Sequence, residues 1–310
     1  MVAMYGHRWT LDVAGVPVDV EAENDRYERC VHERLGAAPS AEAGEVRLRI
    51  SSTAPVPDPG AAVQPLEGLD GHELDDVIWM VDGPSAARVE GADVDVGGPL
   101  GSTAEEDVID NLLQYGLAAA IATPGRLMLH GAAVARGDDA LLLVGRSGVG
   151  KSTLAAAAFL GGWDLLGDDL TLVSVPDLRV RAVRRPPMFP AEIADGTSLV
   201  GVREHTGRRR VRLDVDVLAE GDRRLIGLVT VAHGDEGEVQ LLGPGAAGVL
   251  DDAFALPPFR SVVRRQLAAG AAVLGLPAVR LGHARRPEVR IARGQELLDE
   301  AYSLCRAHGQ

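Results

Sequence analysis

Eight residues constrain this chain more than any others: Gly145-Arg146-Ser147-Gly148-Val149-Gly150-Lys151-Ser152. They fit G-x-x-x-x-G-K-S, the pattern of a loop whose backbone cradles phosphate. The setting fits as well. Ala140 to Val144 is a continuous apolar run, as expected of a central strand buried on both faces. Residues 151–161 are alanine-rich and read as a helix. Gly145, Gly148 and Gly150 let the backbone curl until several N–H groups face one anion. The helix N-terminus adds its positive end. Lys151 offers a compact cation for the β and γ phosphates, and the Ser152 hydroxyl can ligate Mg²⁺. Ser147, Val149 and Thr153 complete the expected nucleotide-binding set. A glycine-rich turn that binds nothing is the alternative. Lys151 is the only lysine among 31 lysines and arginines. It stands where the broad fork of arginine would replace a point charge poorly.

The rest of the chain is organised around that loop. Its 310 residues suffice for two domains, and 46% hydrophobic with 25% charged residues is a globular balance. We expect a small α+β domain over 1–100 and a larger α/β domain over 101–310. In the first, apolar residues alternate from Trp9 to Val20 around Gly15, residues 24–35 read as a helix, and Val46, Leu48 and Ile50 mark a strand. Ala54 to Pro65 reads as a proline-rich loop and Val77 to Val81 as a strand, with a boundary at 97–103. Thr103 and Glu106 fit a capping box opening a helix over 104–122. Leu127 to Ala135 reads as one strand. Asp164 to Leu166 and Leu170 to Val175 read as short strands around an aspartate pair. A hairpin is expected between Leu225–Ala232 and Glu238–Leu242, turning at His233-Gly234-Asp235, and helices over 258–274 and 293–307.

Composition excludes some partners. Net charge is −14, and the first hundred residues hold 19 acidic against 7 basic side chains. Such a surface repels nucleic acid and anionic lipid. No apolar run reaches the length of a membrane span, and the start, MVAMYGHRWT, does not read as a signal peptide. Two cysteines, Cys30 and Cys305, are too few for a disulfide framework. A cytoplasmic location is the expectation.

Two further features bear on chemistry. Asp168-Asp169 follows the loop closely. One carboxylate can hold Mg²⁺ and the other can take a proton from an attacking hydroxyl, although an aspartate-rich turn fits the spacing equally. His130-Gly131 precedes the loop, and a lone histidine is more often structural. Arg208-Arg209-Arg210 and Arg184-Arg185 read as solvated charged turns that could instead clamp phosphate. The other seven histidines show no metal-ligand spacing.

Taken together, His130-Gly131, the loop and the aspartate pair resemble the core of the HPr kinase/phosphorylase family. The intervals are similar, and the resemblance spans about residues 125–175. It implies a mixed-sheet phosphate-loop kinase core, a fold shared with phosphoenolpyruvate carboxykinase. It also implies ATP and Mg²⁺ as cofactors. By position, Asp168 resembles the general base, Asp169 the Mg²⁺-holding residue, and His130 the histidine beside base and phosphoryl group. The acceptor would be a Ser/Thr hydroxyl of a peptide or protein, or a small-molecule hydroxyl. An assembly of identical chains is a further implication. The bifunctional enzymes carry a Leu-Glu-(Ile/Val)-Arg-Gly-Leu-Gly run that is absent here. Residues 186–196 stand in its place, with Glu192 as a candidate ligand. That departure leaves HPr and reverse phosphorolysis in doubt. It also keeps open a nucleotide-binding regulator without transfer activity. A motor-type ATPase ranks last, since neither a Leu-Ser-Gly-Gly-Gln signature nor a later apolar strand ending in Asp-Glu is present.

Overall fold

The computed structural model describes residues 6–35, 39–66, 68–146, 148–191, 199–205, 208–233, 237–243, 259–283 and 287–309. The chain divides into two compact units, Met1–Arg126 with Ala255–Leu267, and Leu127–Phe254 with Ala268–Gln310. Both are mixed α/β, and five α-helices lie among the described residues.

The first unit is built on an eight-stranded sheet in the order β1-β2-β3-β8-β7-β6-β5-β4. Its strands are β1 (His7–Val13), β2 (Val16–Ala22), β3 (Val46–Ser51), β4 (Ala62–Leu66), β5 (Leu69–Leu74), β6 (Val77–Asp82), β7 (Ser85–Glu90) and β8 (Asp93–Gly97). The alternation from Trp9 to Val20 becomes the hairpin β1–β2, turned through Ala14 and Gly15 at positive φ. β2, β3 and β8 run parallel to one another. Helix α1 (Asp25–Leu35) and helix α2 (Thr103–Ile121) meet through the buried pair Arg34 Nη1–Asp110 Oδ2 at 3.4 Å.

Three expectations change here. β4 starts inside the stretch read as a loop. The cap of α2 sits one residue early: the Ser102 hydroxyl accepts from Glu105 N at 3.3 Å, and Glu105 reaches back to Gly101 N at 2.5 Å. The cap is therefore Ser102, with Glu105 closing on the residue before it, rather than the pair Thr103 and Glu106. Finally, α2 packs on the first sheet and does not open the second domain. A Cβ at Gly116 would come within 2.7 Å of Val94 on β8, so the helix lies close against the strand.

The second unit holds a nine-stranded mixed sheet. Its strands are β9 (Arg126–His130), β10 (Ala132–Arg136), β11 (Asp139–Val144), β12 (Asp164–Gly167), β13 (Leu170–Ser174), β14 (Arg179–Ala182), β18 (Arg223–His233), β19 (Glu238–Leu241) and β20 (Ala278–His283). A three-stranded sheet adds β15 (Met188–Pro190), β16 (Leu199–His205) and β17 (Arg208–Leu213). The single strand expected over 127–135 is two strands, broken at Gly131. The expected hairpin does not form. β18 lies parallel to both β11 and β20, and β19 pairs antiparallel with β20 instead. The arginine triplet is not a turn but the start of β17, antiparallel to β15 and β16. Gly234, Asp235 and Glu192 lie outside the described residues.

From Ala140 to Val144 β11 is apolar because both its faces are covered. Leu141 and Leu143 enter one core with Leu154 and Ala155 of α3 (Lys151–Leu160) and Leu298 of α5 (Pro287–His308). Leu142 and Val144 enter another with Leu129 of β9 and Ala269 and Val273 of α4 (Arg260–Leu274). Each fully buried leucine contributes up to about 1.5–3 kcal/mol. The alanines of α3 serve proximity as well as helix formation. A Cβ at Gly294 of α5 would meet Ala157 at 2.7 Å. Strand, loop and α3 are thereby fixed as one rigid corner.

Candidate functional site

The site lies where β11 gives way to α3. Gly145 takes φ +139°, Gly148 +76° and Gly150 +114°. Two of these also lack room: a Cβ would fall 2.8 Å from Val231 O at Gly145 and 2.1 Å from Arg290 Nη1 at Gly150. Gly150 is the N-cap of α3, with no side-chain cap. The end of the helix is therefore left to other partners. Lys151 is 6% exposed and folds back on the loop. Its Nζ donates to Gly145 O at 2.6 Å and Arg146 O at 3.3 Å. Ser152 is half-buried and Thr153 is buried. Ser147 lies outside the described residues.

Beneath the loop sits Arg290 of α5, 6% exposed, whose Nη1 approaches Thr153 Oγ1 at 3.4 Å. Sequence reasoning missed it. No spacing rule links a residue in the last helix to a loop in the middle of the chain.

The aspartate pair occupies the turn between β12 and β13, and its two members face different partners. Asp168 Oδ2 accepts from Met188 N at 3.0 Å. Asp169 Oδ1 lies 3.3 Å from His130 Nδ1, and its Oδ2 lies 2.9 Å from Arg185 Nη1. The backbone reinforces this: Gly131 N donates to Asp169 O at 2.7 Å, and Thr171 Oγ1 donates to Gly131 O at 3.0 Å. The break at Gly131 thus couples His130 to the acidic turn. The two arginines before Pro186 part company. Arg184 donates to Leu218 O at 3.3 Å and serves the fold, whereas Arg185 joins Asp169.

His130 keeps 38% of its side-chain surface accessible. It is nevertheless crowded on its remaining sides, and burial is the leading reason its pKa falls below the ordinary 6.5. Lys151 and Arg185 push the same way, and Asp169 opposes them. At neutral pH the ring is therefore uncharged. With Nδ1–H toward Asp169, Nε2 is left as an acceptor. Asp169 lies against that ring and Arg185 against Asp169, while the charge of Lys151 reaches the ring from the loop.

No family model matches the sequence, and no curated protein matches it. Among solved structures, the chain is similar to the HPr(Ser) kinase/phosphatase from Coxiella burnetii, at 11% identity. That similarity covers 57% of this chain and 94% of the other, with a TM-score of 0.25. No described helix is long and apolar enough to cross a membrane.

Proposed function

We propose that the chain is an ATP-dependent phosphotransferase of the HPr kinase-like, phosphate-loop type, acting on a Ser/Thr or small-molecule hydroxyl. The observation that carries this reading is geometric: the glycine loop opens α3 with Lys151 at its first position, and Asp169 of the aspartate turn lies 3.3 Å from His130 Nδ1. In this reading Lys151 is the phosphate-binding cation, and Asp168 and Asp169 are the base and the metal carboxylate.

In this reading the backbone N–H groups of 148–151 and Lys151 hold the β and γ phosphates, and Lys151 exchanges its loop carbonyls for phosphate oxygens. Asp168, steadied by Met188 N, accepts the proton of the acceptor hydroxyl. The hydroxyl oxygen bonds to the γ phosphorus as the bond to the β–γ bridging oxygen breaks, and ADP leaves with that electron pair. Neutral His130, held by Asp169, the residue next to the base, offers Nε2 as an acceptor. Ser152 and Asp169 present oxygen donors, the type Mg²⁺ selects, so the residues fit that ion. When bound, Mg²⁺ would neutralise charge on the phosphates. Arg185, already beside Asp169, is suited to take phosphate charge in exchange.

The test is transfer from MgATP into fractionated peptides and metabolites, read by mass spectrometry, with Asp168→Asn in parallel. The proposal expects a product heavier by one phosphoryl group with the unmutated chain only, while the variant still binds MgATP. Tight MgATP binding without transferred phosphate would replace it with the nucleotide-binding regulator. Absence of nucleotide binding would end both readings.

A further inference from the structure

Arg290 reaches the glycine loop from α5, and no motif names it. Its guanidinium packs against the loop's last glycine: a Cβ at Gly150 would fall 2.7 Å from Cζ and 3.2 Å from Nε. Nη1 donates toward Thr153 Oγ1 at 3.4 Å. Gly150 caps α3, and Thr153 stands in its first turn. One flat group therefore touches both the last bend of the loop and the start of the helix, and Lys151 lies in the chain between the two contacts. Arg290 and Lys151 are each 6% exposed and Thr153 is 5% exposed, so water has little part here.

Resting on the phosphotransferase reading above, we propose that Arg290 is a positioning residue of the nucleotide site. It braces Gly150 and Thr153 from beneath and adds its charge to the end of α3, which sets the loop and Lys151 for a polyphosphate.

Three features argue for it. First, the space under the loop does not itself require a charge. A methionine of similar reach would fill it without the cost of taking a guanidinium out of water. Arginine is rarely buried so far, and its planar fork holds its partners at set angles. Second, the guanidinium stands at the end of a helix that suits a cation least. α3 opens on Lys151 and has no acidic residue in its first turn. Helix N-termini favour anions, so two cations and a helix end bring potential of one sign to one place. A polyphosphate in the loop relieves all three together. Third, the contact is mutual. Gly150 at φ +114° has a backbone that favours glycine, and the seat of Arg290 against it leaves no room for a side chain. A motif residue and a residue of the last helix thus fit each other.

The test is calorimetric binding of MgATP, MgADP and magnesium tripolyphosphate to the full chain and to its Arg290→Met, Arg290→Lys and Arg293→Met variants. Methionine keeps the length and drops the charge; lysine keeps the charge and drops the fork. Arg290→Met should weaken MgATP by about 5–150-fold, the usual range for coupled sites. Tripolyphosphate should lose as much, because base and ribose take no part. The loss for MgADP should be smaller, since less phosphate charge feels the missing cation. Arg290→Lys should restore part of the affinity. Arg293 lies one turn further along α5, is 46% exposed, and packs at Gly237. Arg293→Met should stay within about twofold of the unmutated chain, because an exposed charge is screened. MgATP should also raise the melting temperature of the unmutated chain by more than that of Arg290→Met. Should Arg290→Met unfold, Arg290→Gln, which keeps donors without charge, decides by the same difference between MgATP and MgADP. Unchanged MgATP affinity in Arg290→Met, or equal losses for MgATP and MgADP, would reduce Arg290 to packing and leave the phosphotransferase reading standing. Failure of the unmutated chain to bind either MgATP or tripolyphosphate would end that reading and this inference with it.

Discussion

Gly150→Ala is the substitution whose consequence follows most directly from the geometry. Gly150 sits at φ +114°, beyond the left-handed well that other residues tolerate. Forcing alanine there costs about 1–3 kcal/mol in backbone strain. The new methyl would also lie 2.1 Å from Nη1 and 2.7 Å from Cζ of Arg290. That guanidinium is buried, so it must give up its place against Thr153, and a hydrogen bond to a charged group is worth about 1.5–3 kcal/mol. The two costs together come to about 3–5 kcal/mol, a large share of the roughly 5–15 kcal/mol that holds an ordinary domain. Urea unfolding of the unmutated chain, Gly150→Ala, Arg290→Ala and the double variant measures both parts. Removing Arg290 relieves the clash but not the strain, so the double variant should be more stable than the sum of the single losses by about 1–3 kcal/mol. Gly162→Ala is the control. Its φ is +83° with no atom near the built Cβ, so it should lose about 1–2 kcal/mol from strain alone. Additive losses, or a Gly150→Ala chain within about 0.5 kcal/mol of the unmutated one, would refute the packing of Arg290 against the loop.

Lys151→Met should leave the fold intact and weaken MgATP binding by about 10–150-fold in calorimetry, the equivalent of one charge-assisted hydrogen bond. Unchanged affinity would remove Lys151 from the site. His130 is depressed below its unfolded value of 6.5, so the unfolded chain binds more protons in that window. Stability should therefore be complete above 6.5 and fall as pH drops through the folded pKa. Denaturant midpoints between about pH 5 and 7 should fall less steeply for His130→Asn; identical slopes would contradict the assignment. Both thiols are buried, and desolvation pushes each up to about 12. Cys30 and Cys305 should resist thiol reagents in the native chain and react only after denaturation; rapid native labelling would contradict this.

How much of this molecule the sequence disclosed follows from where the information lies. β11 and α3 were legible because each is fixed locally, one by an apolar run buried on both faces and the other by alanines after a glycine loop. The hairpin β1–β2 was legible for the same reason. Strands β5, β7 and β8 were not. Segments such as Leu-Asp-Gly-His-Glu-Leu in β5 are short and largely polar, and they become strands because neighbours pair with them. The order around β18 was out of reach too. A strand adjacent in sequence offered a plain hairpin, yet β20 wins the place beside it through parallel pairing from Leu228–Ala278 to His233–His283. The cost of closing so long a loop grows only slowly with length, so tertiary burial can outbid the local option.

The candidate site divides along the same line. The residues that a motif can name, the glycines before α3 with Lys151 to Thr153 and the pair Asp168 and Asp169, lie at one helix start and in one turn, where the chemistry is local. What gives those turns their character arrives from elsewhere. Arg290 comes from the last helix and Arg185 from the segment before β15. Met188 contributes a backbone N–H, which no side-chain pattern encodes. Their effect is electrostatic as much as structural. The chain carries a net charge of −14, yet Lys151 and Arg290 bring cations to the loop and Arg185 brings one to Asp169. The aspartates persist in that company because each oxygen described has a donor or a cation facing it. A ligand with its own cation could take over those partners one for one, leaving no buried charge uncompensated.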